Sequence, residues 1–231
     1  MSADRQPLCD AAARLIEAAD GLMIAAGAGL GVDSGLPDFR GNTGFWRAYP
    51  ALADARIAFE EIACPDAFVR TPALAWGFYG HRLNLYRRTL PHPGFAILQA
   101  IGARLPRGSF VFTSNVDGQF QRAGFDESRL CEVHGSIHHL QCLDGCDGRI
   151  TPADGFEPEV DEDACLLRSP LPRCTGCHAL LRPNVLMFGD WGWLQRRTAA
   201  QRRRLEAWLG GTQRAVVIEI GAGLHVPTVR W

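Results

Sequence analysis

Four of the eight cysteines stand in two close pairs, Cys142-x3-Cys146 and Cys174-x2-Cys177. Two short turns carrying two thiols each can deliver four thiolates to one tetrahedral zinc ion. A closed four-sulfur site leaves no position for water or substrate, so the metal is expected to be structural rather than catalytic. Cys165 and His178 stand as alternative ligands, and Cys9, Cys64 and Cys131 read as buried thiols that behave as small apolar residues. A second centre is the run Gly27-Ala28-Gly29-Leu30-Gly31. Its glycines allow a backbone to approach a phosphate closely, and amides at a turn or helix N-terminus supply donors for it. The dinucleotide fingerprint GxGxxG needs a further glycine where Val32 stands, and no clear acid follows about 20 residues on, which disfavours a hydride-transfer dehydrogenase.

The elements that position these residues are visible in the hydrophobic pattern. Leu8, Ala11, Leu15, Ile16 and Ala19 have helical spacing across residues 8–20, and Gly21 follows as a stop. Leu22–Ala26 is a short apolar run feeding the glycine turn, Ser109–Thr113 is a second such strand, and Arg214–Ile220 is a third, ending in Gly221-Ala222-Gly223. Two strand-to-GxG junctions predict a parallel α/β sheet whose ligand lies at the carboxyl ends of its strands. Between the first two strands, residues 52–105 are mostly helical in pattern and punctuated by Pro65, Pro72, Pro91 and Pro93. Residues 141–181 differ: cysteine pairs flank an acidic stretch of weak periodicity, the mark of a small inserted module.

Composition narrows the function classes. The chain has 231 residues, 47% hydrophobic and 21% charged, with no apolar run of the length that spans a bilayer. A formal net charge of −1 gives no bulk field to favour nucleic acid or an anionic membrane surface. Every basic residue is arginine, which reads as genomic composition rather than as an arginine-specific function. No basic segment followed by an apolar stretch opens the chain, so a cytoplasmic location is expected, and paired cysteines there point to metal rather than disulfides.

The glycine segment continues as Val32-Asp33-Ser34-Gly35-Leu36-Pro37-Asp38-Phe39-Arg40-Gly41, and the whole stretch closely resembles the signature of the sirtuin family, the NAD-dependent protein deacylases. The resemblance recurs in chain order. Thr113-Ser114-Asn115-Val116-Asp117-Gly118 is similar to the family's Thr-Gln-Asn-Ile-Asp-Gly, and Val133-His134-Gly135-Ser136 to its catalytic His-Gly. After the cysteines, Arg182-Pro183-Asn184-Val185-Leu186-Met187-Phe188-Gly189-Asp190 resembles Arg-Pro-x-Val-Val-x-Phe-Gly-Glu. The resemblance implies an α/β fold: a Rossmann-like parallel sheet with helices on both faces, plus a small inserted zinc-binding module and a helical module. The expected division is 1–51, 93–140 and 182–231 for the NAD-binding domain, 52–92 for the helical module and 141–181 for the zinc module.

Breaking the bond between nicotinamide and ribose leaves an oxocarbenium-like carbon, which calls for an anion cradle, a pocket for the leaving amide and a base for a ribose hydroxyl. By resemblance, the cradle is Gly27, Ala28 and Gly29 with Asp38, Phe39 and Arg40, Arg40 lying against the diphosphate and Phe39 shielding the sugar. Ser114, Asn115, Val116 and Asp117 form the nicotinamide end, and Gly221, Ala222 and Gly223 the second glycine turn. His134 matches the general base, a role suited to an imidazole of ordinary pKa about 6.5, with Asn115 and Asp117 beside it. His81, His92, His138, His139 and His225 have no such context. Val185, Phe188 and Gly189 are implied to meet an acylated-lysine protein or peptide, with nicotinamide, free lysine and O-acyl-ADP-ribose as products.

Tyr79 and Arg82 stand three apart on a helix face, a spacing that resembles the Tyr-x-x-Arg of the sirtuin class removing succinyl and malonyl groups. A cation and a phenol there can grip the distal carboxylate of the acyl chain. The competing reading is an ordinary amphipathic helix with Tyr79 packed and Arg82 solvated. Departures from the family fall in the site: Gly31 replaces a serine, Ser114 a glutamine and Asp190 a glutamate, and Gly221-Ala222-Gly223-Leu224 stands for Gly-Thr-Ser-Leu. Each lost side chain removes a hydrogen bond of about 0.5–1.5 kcal/mol net, so weakened NAD affinity is expected. Family members continue beyond the position of Trp231 with a strand and loop at the adenosine end; the chain is either naturally short or truncated, and only truncation implies incomplete adenine recognition and loss of activity. Mono-ADP-ribosyl transfer or NAD hydrolysis at the same site, and a non-enzymatic NAD- or acyl-peptide-binding module, are the other readings the sequence leaves open.

Overall fold

The computed structural model describes residues 5–38, 41–223 and 228–230. Helix α1 (Gln6–Glu17) leads into strand β1 (Gly21–Ala26), which is paired on one side by β2 (Ser109–Thr113) and on the other by β9 (Ala215–Ile220). A short strand, β3 (Leu130–Glu132), extends the sheet beyond β2, giving the order β3-β2-β1-β9 with every pair parallel. The three runs are therefore strands as expected, but β9, expected to be buried, is an edge strand with no buried residue and Val217 is 55% exposed. At three residues, β3 is too short to carry a period of its own.

Parallel strands buried on both faces need helices on both. Leu22, Ile24, Ala26 and Val111 pack on one face against Phe95 and Leu98 of α7 (Gly94–Ala103), Phe120 of α8 (Gln119–Arg122) and Phe125. On the other face, Phe110, Cys131 and Val133 pack against Leu205 and Trp208 of α9 (Arg196–Gly210). All four strands run in one direction, so Gly27, Ser114, Val133 and Gly221 emerge together at their carboxyl ends.

The rest of the chain forms a lobe with its own core. Helices α2 (Gly41–Ala48), α3 (Pro50–Asp54), α4 (Phe59–Ile62), α5 (Pro65–Arg70) and α6 (Pro72–Arg88) share one buried cluster with residues of the cysteine-bearing insert. Phe45, Trp76, Phe78 and Leu83 meet Ile137, Leu140, Ala153 and Leu167 there. The insert contributes an antiparallel sheet of order β5-β4-β8, built from β4 (Gly135–Cys142), β5 (Ile150–Pro152) and β8 (Leu181–Val185), and a hairpin of β6 (Val160–Asp161) with β7 (Leu166–Leu167). β4 and β8 thus sit astride the boundaries expected at 140/141 and 181/182, because the two strands pair with each other rather than with the parallel sheet.

Two glycines of α6 explain how helix and insert come so close. A side chain at Gly77 would collide with the Cys165 carbonyl, and one at Gly80 would come within 2.9 Å of Pro158. Polar side chains tie the same helix to the insert along its length. Trp76 Nε1 donates to the Leu181 carbonyl (2.9 Å), Asn84 Nδ2 to that of Pro158 (2.8 Å), and the Arg87 guanidinium to those of Ala153 and Phe156 (2.7 Å each).

Candidate functional site

At the sheet's carboxyl edge the loop after β2 folds back over the end of β1. Ser114 N and Thr113 Oγ1 both donate to the Ala26 carbonyl (3.1 and 2.9 Å), and Asn115 N donates to Thr113 Oγ1 (3.0 Å). Asn115 Nδ2 then donates to the Gly27 carbonyl (3.1 Å), while its Oδ1 is buried with no hydrogen-bond partner among the described residues. An orphaned acceptor there costs free energy unless a ligand supplies a donor. The amide of a nicotinamide has that chemistry.

Asp117 is buried two residues further on, with Oδ1 accepting from Gln119 N (2.9 Å). Burial pushes its carboxyl up to about 6, against the pull of that hydrogen bond. His138, read as a histidine without a role, is 2.9 Å from the Asp117 carbonyl through Nε2 and so braces the loop that holds Asp117.

His134 lies two residues past the end of β3, where Val133 N donates to the Thr113 carbonyl (2.9 Å) and Leu186 N to the His134 carbonyl (2.9 Å). The His134 backbone is therefore held between the sheet and the segment that follows β8. Burial lowers the imidazole pKa below the ordinary value, and a hydrogen bond with the Ser114 backbone opposes that shift. Thr228 Oγ1 lies 3.2 Å from His134 Nε2. Sequence reading gave Thr228 no part, and nothing in its local pattern marks it, since the contact spans more than ninety residues.

The two glycine turns meet backbone to backbone. Gly27 N donates to the Ile220 carbonyl (3.0 Å) and Gly29 N to that of Gly221 (2.9 Å). A Cβ at Gly27 would lie 2.7 Å from Gly221 O, and one at Gly221, whose φ is +67°, would collide with Leu30 N. These glycines are required by the approach of one turn to the other. The amides of Gly27 and Gly29, read as donors for a phosphate, are already engaged by carbonyls of the β9 end. Ala28, Ala222 and Gly223 lie beside them, and the first motif is described up to Asp38 and again at Gly41. Phe39 and Arg40 lie outside the described residues, as does Leu224.

Tyr79 and Arg82 are both buried, which removes the picture of a solvated arginine on an amphipathic helix. The Arg82 guanidinium lies over three rings, 5.2 Å from the centroid of Phe78, 5.5 Å from Tyr79 and 5.4 Å from Tyr86, and its Nε donates to Tyr86 Oη (3.0 Å). Burial raises the Tyr79 phenol to about 12, so it is a neutral hydrogen-bonding group at any ordinary pH. Val185 is buried at the end of β8, and Phe188 stacks edge-on with Phe59 (5.6 Å). Gly189 turns the chain with φ +64°. Asp190 pairs with Arg182 (2.8 Å) among wholly buried side chains.

The cysteine pairs converge as their spacing predicts. Cys142, Cys146, Cys174 and Cys177 have sulfurs within 4.8 Å of one another, with Cys142 to Cys177 and Cys146 to Cys174 at 3.6 Å. Sulfurs at zinc–thiolate bond length around one tetrahedral ion are roughly 3.8 Å apart, so the four residues fit a single zinc. Backbone amides of Cys177 and Gly176 lower the Cys174 thiol to about 7, while hydrogen bonding with the Cys177 and Cys174 thiols pushes Cys146 up. Cys165 is buried against α6, away from this tetrad, and neither it nor His178 joins it.

Comparison with known proteins agrees with this geometry. The chain is 35% identical over 191 residues to the NAD-dependent protein deacylase sirtuin-5, mitochondrial, of Canis lupus familiaris, covering 77% of this chain and 58% of that protein. It is 37% identical over 164 residues to an NAD-dependent protein deacylase of Pyrococcus furiosus, covering 71% of this chain and 59% of that protein. The chain therefore spans somewhat under two thirds of the length of these relatives. Among solved structures, a Sir2 homologue in complex with NAD superposes with a TM-score of 0.70 at 25% identity, covering 96% of this chain and 76% of that one. A Sir2 homologue mutant in complex with ADP-ribose gives the same score and identity, covering 96% and 78%. The model of the Sir2 family matches residues 27–227, from the first glycine turn to just beyond the second, and the chain belongs to that family.

Proposed function

We propose that this chain is an NAD-dependent protein-lysine deacylase, releasing nicotinamide and passing the acyl group to ADP-ribose. The observation that carries the reading is the convergence at one sheet edge of the His134 imidazole and the Asn115 side chain with its unsatisfied buried acceptor. When bound, NAD supplies the ribose carbon that receives the acyl oxygen and the hydroxyl that later takes the acyl group. Asn115 Oδ1 holds the carboxamide end, and the two glycine turns let the backbone approach the diphosphate. Buried Asp117 stiffens the loop beneath them. His134 takes a proton from the ribose hydroxyl, and its burial keeps the ring neutral and able to do so near neutral pH. The zinc tetrad is remote from these groups in role: four protein sulfurs complete its coordination, which leaves it to hold the insert together.

The acyl group we infer is one ending in a carboxylate, such as succinyl or malonyl. Arg82 places a cation within the lobe's apolar core, next to the Tyr79 phenol. A carboxylate reaching that low-dielectric position gains a charge-assisted hydrogen bond that an acetyl group cannot make. The test is nicotinamide release, read by mass spectrometry, from NAD with no peptide, acetyl-lysine peptide and succinyl-lysine peptide. Release that requires peptide and favours the succinyl form, with the matching O-acyl-ADP-ribose, is expected. Equal release without peptide would replace the deacylase reading with NAD hydrolysis or ADP-ribosyl transfer, and no release would sink all three.

A further inference from the structure

A guanidinium is a planar fork of N–H donors carried on a stem with several rotatable bonds, so a buried arginine needs something to aim it. Apolar burial keeps water from the fork of Arg82 but gives it no direction. Phe78 and Tyr79 approach the guanidinium from one turn earlier on α6, and Tyr86 from one turn later. Of the three rings, Tyr86 does more than pack. Its Oη accepts from Arg82 Nε (3.0 Å), and since Nε–H lies in the guanidinium plane, that bond constrains both the plane and the heading of the two Nη groups. A phenylalanine would offer the cation the same ring. The hydroxyl of a side chain only 4% exposed carries a desolvation cost that needs a hydrogen bond to offset it, and Arg82 supplies one. Burial also pushes the Tyr86 phenol up, so it stays a neutral acceptor.

Tyr86 is itself held in place. Gln119, buried at the start of α8, donates through Nε2 to the carbonyls of Tyr86 (3.4 Å) and Thr89 (3.3 Å), at the end of α6 where carbonyls lack partners within the helix. Gln119 N in turn donates to Asp117 Oδ1 (2.9 Å). On either side of Tyr86, Asn84 and Arg87 fasten α6 to carbonyls of the insert. A continuous line of buried groups therefore runs from Asp117 through Gln119 and Tyr86 to Arg82.

We propose that Tyr86 is a positioning residue for the recognition of a carboxylate-ended acyl group: it aims the Arg82 fork before the substrate arrives and so helps set the preference for succinyl over acetyl. This inference deepens the acyl reading given under Proposed function and rests on it. A fork aimed in advance loses less rotamer freedom on binding, so the benefit is felt as affinity for the carboxylate and leaves the chemistry at His134 alone.

Tyr86→Phe removes one oxygen and keeps the ring, and circular dichroism checks that the fold is retained. At saturating NAD, KM for a succinyl-lysine peptide is expected to rise roughly tenfold with kcat within about twofold, the effect of losing one hydrogen bond to a charged group. An acetyl-lysine peptide offers Arg82 no carboxylate, and its KM should move less than about twofold. Dissociation constants of fluorescein-labelled forms of both peptides, read by anisotropy, should show the same split without turnover. Arg82→Met supplies the second arm: in its background Tyr86→Phe should have no further effect on either peptide, because no fork is left to aim. Equal losses for both peptides, or a loss confined to kcat, would reduce Tyr86 to a packing residue and overturn the proposal. A succinyl preference that collapses in Arg82→Met but survives Tyr86→Phe overturns the positioning role and leaves the acyl reading standing. A preference that survives Arg82→Met, or a protein that prefers neither peptide or binds neither, overturns both.

Discussion

In the parallel sheet, the largest wholly buried side chains of β1 and β2 are Leu22, Ile24 and Phe110, packed on Phe95, Phe120 and Trp208. In the lobe that faces its carboxyl edge, Arg182, Asn184 and Gln141 are buried as completely, and a tetrad of cysteines closes the far end. Apolar contact is non-directional, and its loss costs energy in proportion to the volume removed. A buried polar tie is directional and fails with the loss of either partner, because the survivor is left unsatisfied in a dry interior. Both regions therefore have apolar cores, and the lobe adds to its own a few directional groups that the sheet lacks.

Removing zinc should separate the two regions most sharply. Chelation, or Cys174→Ser, is expected to abolish amide-exchange protection in β5 and the hairpin β6–β7 while β1 and β2 stay protected. Structural zinc contributes on the order of 10 kcal/mol in small domains, more than the insert's short strands can replace. Exchange read by mass spectrometry decides it, and uniform loss across both regions would mean that the division between them is not real. Next in size is Arg182→Met, which leaves the buried Asp190 carboxylate without its cation and should cost about 3–5 kcal/mol in urea unfolding. Adding Asp190→Leu should return much of that, since an apolar pair of similar volume has no charge to bury.

This division also sets what could be read from the sequence. The strands β1, β2 and β9 were legible because residues 22–26, 110–112 and 215–218 are short apolar runs followed by turn residues. The cysteine tetrad was legible from spacing alone. The lobe's architecture was not, because its fit depends on Gly77 and Gly80 lying under Cys165 and Pro158, contacts separated by more than seventy residues. Nor does any local pattern announce that Gln141 will hold the turn at 192–194 or that Thr228 will reach His134. The motif residues near His134 were found through their resemblance to a family, while their roles as donors were partly misjudged. The Gly27 and Gly29 amides serve the β9 end, which only the register of β1 on β9 reveals.

Asp117 lies at the seam between the regions and carries the next prediction. Its carboxyl is raised by burial from the usual 3.8 to about 6, so the folded state binds the proton more tightly than the unfolded chain does. Ionisation therefore opposes folding: the penalty is absent below about pH 4, grows as pH rises towards 6, and is complete above it. Asp117→Asn keeps an acceptor for Gln119 N and removes the charge. At pH 7 it should stabilise the protein by up to about 3 kcal/mol, a gain that vanishes at pH 3.5. Urea midpoints at the two pH values test it, and a destabilised variant at pH 7 would show that the ionised carboxylate is held by partners stronger than its burial.

The smallest effect belongs to His134, held from the sheet side by Ser114 and Thr228 and from the lobe side through Leu186. Burial disfavours the imidazolium, so the acid limb of the pH–rate profile should have its midpoint below the ordinary 6.5. A neutral ring with its proton turned to the Ser114 backbone presents a lone pair at Nε2, and the Thr228 hydroxyl can donate to it. Thr228→Val withdraws that donor and should raise the His134 pKa by roughly half a unit, the equivalent of one modest hydrogen bond. The acid limb should move up by the same amount, and imidazole resonances in NMR titration report it independently of turnover. A midpoint that moves down instead would mean that Thr228 accepts from a protonated ring. In that case the hydroxyl stabilises the charged form of the base, and the sheet side of the site opposes the burial that the lobe imposes.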